Sequence, residues 1–355
     1  MLREQCQPFF YKWVIMTQRQ RLLASFLVAF SLTVSAETFQ APLVEDSLLL
    51  DADSDQFHVV VGERGHVITS ALDSLEFTQL ALPLSVTLTA VDVLGDDIWV
   101  AGHDATIMHS SDKGATWDVQ MHEPDLERPF LDILFFDEMH GVAVGAYGLF
   151  YRTRDAGETW TAEQHATLLN PLDIEYLEEI REEDEEFYLE ELNSILPHIN
   201  RIVYANGKVF VAGETGLLAV SDNYGESWQR DELDYFGSFF DFQPVDDNRN
   251  VAVGLRGAVF TQSNSGEWQR VNSCTTSTLN SVQLTDGGGL LVVGNNGAII
   301  NIDVDELFDG ASNGCENNGM AITQLESKSA IATVFKNNDS YTAVTSDGLL
   351  SLTSK

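Results

Sequence analysis

Apolar residues along this chain recur in short blocks that end on glycine. Val59-Val-Val-Gly62, Trp99-Val-Ala-Gly102, Val142-Ala-Val-Gly145, Phe210-Val-Ala-Gly213, Val251-Ala-Val-Gly254 and Leu291-Val-Val-Gly294 align without gaps. Tyr341-Thr-Ala-Val-Thr345 is a seventh copy that has lost the glycine. In six copies a second glycine follows three residues later (Gly65, Gly148, Gly216, Gly257, Gly297 and Gly348), and Ala105 replaces it in the second copy. Such glycines supply positive φ for a tight turn between two strands. Successive first glycines are 40, 43, 68, 41 and 40 residues apart. The usual step is that of a four-stranded propeller blade, and the long one marks an insertion. In the third copy the pattern predicts an inner strand from Phe130 to Phe136, then strands from Gly141 to Val144, Leu149 to Thr153 and Trp160 to Gln164. Seven copies predict an all-β, seven-bladed β-propeller. The last copy stops after a third strand, Leu349 to Leu352, so residues near Thr38 to Val44 are expected to supply its outer strand and close the ring.

A second motif keeps register with the first. Ser110-Ser-Asp112-Lys-Gly114-Ala-Thr116-Trp117 and Thr153-Arg-Asp155-Ala-Gly157-Glu-Thr159-Trp160 are full Asp boxes. Ser221-Asp-Asn223-Tyr-Gly225-Glu-Ser227-Trp228 carries Asn in the Asp position, and Ser263-Asn-Ser265-Gly266-Glu-Trp268 is a shortened remnant. The Asp or Asn side chain is expected to accept backbone N–H groups of its own turn, the glycine to take an unusual φ, and the tryptophan to plug the gap between blades. These residues read as turn staples and not as catalysts.

The long step holds an acidic insertion, residues 166–199. Asn170-Pro171 is a helix start and Pro197 marks the end. Eleven acidic residues and one Arg lie between Asp173 and Glu191. The apolar positions between Leu172 and Leu196 keep partial helical spacing, and the charged run Arg181 to Glu186 divides them into two short helices. The expectation is a helical hairpin, either a solvated decoration or a docking arm for a basic or amphipathic partner.

On these repeats the chain resembles the photosystem II stability/assembly factor family of seven-bladed lumenal propellers, over most of residues 47–350. The resemblance implies a non-catalytic, exported scaffold that binds protein and assists assembly or function of a membrane complex, including a transporter. Its partner would be a membrane protein or membrane-complex subunit. The Asp-box repeat also occurs in sialidases, so a propeller that binds or hydrolyses glycans is the alternative.

Charge narrows the partners. With 19 Lys+Arg against 55 Asp+Glu, a net charge of −36 repels phosphate backbones, which argues against nucleic acid. Arg19 and Arg21, an apolar run from Leu22 to Val34 and small residues at Val34-Ser35-Ala36 read as a signal peptide over residues 1–36, with Met16 the expected initiator. The run is too short for a permanent span, so a soluble propeller over 37–355 is expected in a periplasm or, in a photosynthetic host, a thylakoid lumen. Cleavage leaves Cys274 and Cys315, which an oxidising compartment would pair. The repeat alignment, however, sets them at opposite ends of the ring unless 303–319 folds across, so sequence alone does not decide the pairing.

Strand alternation puts the Asp boxes at one end of the ring. The glycine turns, the blade-to-blade connections and the insertion lie at the other. There the residue before each second glycine stands on a rim, and Arg64, Arg256, Tyr147, Asp104 and Asn296 are the candidate partner-binding residues, joined in the series by Thr215 and Asp347. Arg64 and Arg256 could grip a partner's carboxylate or carbonyl, or serve only as exposed turn residues. Enzyme chemistry fits poorly. Arginines are too few for a sialidase cluster, and no nucleophile motif is present. Asp51-Ala-Asp53-Ser-Asp55 begins like a calcium loop, but Gln56 and Gly62 stand where that loop needs Gly and Glu, so it reads as strand and turn. The eight histidines show no metal-ligand spacing, and no cofactor or metal is expected.

Overall fold

The seven apolar blocks form the second strands of seven antiparallel sheets in a computed structural model that describes residues 40–263, 265–309, 315 and 319–352. The expected signal peptide lies outside the described residues. Six sheets have four strands in simple sequential order and the seventh has three. In the third blade the strands are Phe130–Phe135, Gly141–Gly145, Phe150–Thr153 and Thr161–Ala162, close to the expected boundaries. The inner strands are Leu49–Ser54, Leu88–Leu94, Phe130–Phe135, Ile199–Ala205, Phe239–Pro244, Leu279–Leu284 and Ile331–Asn337. Each packs against the inner strands before and after it, and the seventh packs against the first. The ring is therefore closed. Its core lies between blades: Val251, Val253 and Val259 of the fifth, for example, pack with Leu279, Val282 and Val292 of the sixth. Burial on both faces is why the second strands read as unbroken apolar runs.

The two glycines of each repeat serve different ends. In the fifth blade Gly254 is extended, and a Cβ there would stand 2.1 Å from the Ser238 carbonyl oxygen. That carbonyl accepts the Leu255 N–H at 2.9 Å, so the second strand presses against the entry of the inner strand. Gly257 has the expected positive φ, +72°, and the Thr275 carbonyl passes 2.1 Å from where its Cβ would be.

Ring closure differs from the expectation. The seventh sheet consists of Ile331–Asn337, Ser340–Thr345 and Gly348–Leu352, and Val44–Asp46 is a 3-10 turn in place of a fourth strand. Pro42 has no N–H to give a ladder. Asp46 and Ser47 donate back to Leu43 and Val44, which uses groups that a strand needs. The turn packs against Gly348, so this stretch covers the last blade without pairing along it.

The insertion is the expected helical hairpin. We label its helices α1 (Pro171–Glu183) and α2 (Glu185–Ile195). Asn170 caps α1 by accepting the Leu172 and Asp173 N–H groups, and Asp184 caps α2 in the same way. Leu169, Leu177, Leu192 and Leu196 give the hairpin a small core of its own. Cys274 and Cys315 form a disulfide, with 5.6 Å between their Cα atoms. Cys315 thus reaches the connection that follows Trp268–Asn272, the outer strand of the fifth blade.

Candidate functional site

Six of the seven turns place the residue before the second glycine, or before Ala105 in the second copy, in the left-handed region whatever its side chain; Asp347 of the seventh does not adopt it. Arg64, Asp104, Tyr147, Thr215, Arg256 and Asn296 have φ between 53° and 59°. A non-glycine residue there costs about 1 kcal/mol. The turn imposes the conformation and leaves the side chain free, and all six are exposed. They stand one to a blade around the rim. The side chain of Arg64 is 78 % exposed and leans on Glu63 at 3.8 Å.

Around Tyr147 the rim becomes a built surface. The Arg128 guanidinium lies 5.4 Å from the Tyr147 ring centre, and His198 meets that ring edge-on at 4.5 Å. Arg128 also donates to the Tyr147 carbonyl and to the Asn193 carbonyl of α2, which ties hairpin to rim. Gly148 donates to the Pro197 carbonyl just beyond α2. Leu172, Tyr176, Phe187 and Leu189 remain exposed on the hairpin among its carboxylates. Sequence reasoning missed Arg128 and His198, because both precede their strands in connections outside the repeated motif.

The side chains of the Asp boxes hydrogen-bond within their own turns. Asp112 accepts the Thr116 N–H at 2.7 Å and the Thr116 hydroxyl at 2.7 Å, and Asp155 makes the same pair with Thr159. Asn223 accepts from Ser227 N–H at 3.0 Å. Hydrogen bonds from these threonines hold both aspartates below the ordinary carboxylate range. Gly114, Gly157 and Gly225 all take positive φ, and a Cβ on Gly114 or Gly157 would strike Leu80 or Gln120 of the preceding blade. Trp228 is buried, while Trp117 and Trp160 are half-buried between blades.

The axis holds residues that sequence reasoning did not single out for this role. Asp51, Asp92, Asp132 and Asp241 each accept a backbone N–H of the next inner strand, from Val91, Phe135, Ile202 and Val282. Asp53 accepts likewise from Val93, so the calcium-like opening is strand, as expected. Arg201 reaches Asp132 at 3.5 Å and Asp241 at 3.3 Å beside an axial cavity of about 110 Å³. Burial raises Asp51 to about 7 and Asp132 to about 6, with Arg201 opposing both shifts, and the Asp132 carboxylate raises Arg201. Among the described residues no cluster of three His, Cys, Asp or Glu could hold a metal ion. The arrangement joins neighbouring blades through carboxylates that accept backbone N–H groups across each seam.

The family model for photosynthesis system II assembly factor YCF48 matches residues 118–351. The chain belongs to this family. A curated relative, the photosystem II assembly protein Ycf48 of Thermosynechococcus vestitus, is 24 % identical over 197 residues, covering 49 % of this chain and 56 % of that protein. The match thus spans little more than half of the relative's length. The solved YCF48 bound to a D1 peptide superposes with a TM-score of 0.62 at 15 % identity, over 90 % of this chain and 97 % of that one. The WD40 propeller domain of Doa1 gives 0.60 at 11 % identity, over 88 % and 94 %. Comparable superposition outside the YCF48 family shows that these two likenesses carry the fold and not the activity. Among the described residues no helix is long and apolar enough to cross a membrane.

Proposed function

We propose that this protein is a non-catalytic assembly factor whose glycine-turn end holds a segment of a membrane-protein partner. The observation that carries the reading is the rim at Tyr147, where a six-fold repeated turn displays variable side chains beside an acidic hairpin fastened through Arg128. Membership of the YCF48 family supports an assembly role, and the relative solved with a D1 peptide supports a peptide as the thing held. The partner is a subunit of a membrane complex, a photosystem or a transporter. The N-terminal segment supports export to a periplasm or thylakoid lumen. Glycan hydrolysis finds less support: Arg201 at the axis is engaged by Asp132 and Asp241 and is not free to clamp a substrate carboxylate.

A photo-crosslinking residue at position 147 or 256 should capture the membrane partner in native membranes, and one at position 112 should capture far less of it. Replacing 171–195 by a short flexible linker should abolish that capture while the β-sheet spectrum and melting temperature stay near wild type. Equal capture at positions 112 and 147, or undiminished capture by the linker variant, would sink this reading. Turnover of sialoside or aryl-glycoside substrates would favour the sialidase alternative instead.

A further inference from the structure

At the Asp-box end, aromatic side chains pack on one another at the surface. Phe136 follows the inner strand of the third blade, and Tyr204 lies near the end of the inner strand of the fourth. Tyr224 occupies the left-handed position of the fourth blade's Asp box. Phe136 meets Tyr204 and Tyr224 edge-on at 5.4 and 5.1 Å, and the two tyrosines stack at 5.7 Å with 30° between their planes. Yet Tyr204 is 38 %, Tyr224 45 % and the neighbouring Met139 52 % exposed. A contiguous exposed patch of this composition is that of a binding surface.

The fold does not demand it. The positions equivalent to Tyr224 in the two full Asp boxes hold Lys113 and Ala156 with the same φ, so the turn accepts any side chain there. The surrounding charge states what would cover the patch. Its cations are already engaged: Arg152 is buried against Glu163 at 2.7 Å, Arg154 pairs with Glu226 at 2.7 Å and Lys208 with Asp222 at 3.2 Å. Burial first, then the neighbouring arginines, lowers the His140 pKa and holds that ring neutral. Asp137 and Glu138 adjoin Phe136. Asp137 accepts the Met139 and His140 N–H groups, and among the described residues no cation pairs with either carboxylate. Aromatic faces beside unneutralised carboxylates attract guanidinium or ammonium groups and repel phosphate.

The geometry points to a second binding surface, formed by Phe136, Tyr204 and Tyr224, for an extended basic segment of a protein partner. Its Lys or Arg side chains lie over the tyrosine rings and against Asp137 and Glu138, and an apolar neighbour covers Met139. With the rim at the opposite end, one rigid ring then holds two segments at once.

The test uses the full chain and a fluorescein-labelled peptide of alternating Arg and Leu, read by fluorescence anisotropy. Its controls are the same peptide with Glu for Arg, and oligo-arginine. The variant Tyr204→Ser with Tyr224→Asn keeps a residue that accepts the left-handed turn. It should bind the Arg–Leu peptide roughly tenfold more weakly, as loss of paired aromatic anchors does. Glu138→Lys, a change in an exposed loop, should weaken binding in the same direction and guards against misfolding of the first variant. The Glu–Leu peptide should not bind, and oligo-arginine should bind more weakly than Arg–Leu. Equal affinity of wild type and both variants, or oligo-arginine binding as tightly as Arg–Leu, would reduce the interaction to diffuse attraction by an acidic protein and overturn the proposal.

Discussion

Gly254 shows how a single atom is excluded by the architecture. Its missing Cβ would stand 2.1 Å from a carbonyl that is itself hydrogen-bonded, so neither partner can yield without breaking the entry of the inner strand. Gly254→Ala should therefore cost more than about 2 kcal/mol in urea unfolding, within the range for backbone overpacking. Gly95 offers the contrast. It has φ +64° but open space around its Cβ position, so Gly95→Ala should cost only about 1 kcal/mol. Equal losses at the two sites would show that close approach is not what selects the first glycine. The spacing of Gly254 was legible in the sequence because it recurs. Its reason was not, since the opposing carbonyl belongs to Ser238, in a connection outside the motif. The axial carboxylates were better hidden. Asp51, Asp132 and Asp241 stand third in their inner strands, the place that Arg201 takes in the fourth blade. Nothing marks that place as axial in a chain with 55 acidic residues.

Elements defined by local chemistry were read well, and those defined by the path of a long segment were not. The hairpin could be read because its caps, Asn170 and Asp184, act on N–H groups two and three residues away. The outer strand of the seventh blade could not, because counting strands does not register the hydrogen bonds that curl Val44–Asp46 into a turn. The Cys274–Cys315 bridge belongs to the second kind. Strand counting sets the two cysteines at opposite ends, and nothing in the repeat states that Cys315 meets Cys274. The bond closes a loop of 41 residues, for which restriction of the unfolded chain predicts about 2–4 kcal/mol. Cys274→Ser with Cys315→Ser should lose that much stability in urea and become insensitive to reductant, whereas the wild type should fall to the same level when reduced. A double variant as stable as the oxidised wild type would mean that the bridge constrains nothing the fold does not already hold.

At the scale of the whole ring, stability should depend on pH through its axis. Asp51 and Asp132 have folded pKa values of about 7 and about 6, above the ordinary carboxylate value of 3.8, because burial penalises the charged form. Between the ordinary and the raised value the folded state binds more protons than the unfolded one, so the slope of unfolding free energy against pH is negative there. The stabilisation is complete below about pH 4 and is lost as pH rises through 6 and 7. A tenfold gain in proton affinity on folding is worth about 1.4 kcal/mol, so the two groups together make the ring measurably weaker at pH 8 than at pH 5. Relief of repulsion among surface carboxylates acts in the same direction but at lower pH, nearer their ordinary values. Asp51→Asn separates the two causes. The amide oxygen can still accept the Val91 N–H, while the charge that resists burial is gone. The variant's melting temperature should change less between pH 5 and pH 8 than the wild type's and should exceed it at pH 8. If the variant keeps the full slope, Asp51 does not carry the pH dependence. The same result would leave Arg201, which reaches both Asp132 and Asp241, as sufficient to hold Asp51 ionised.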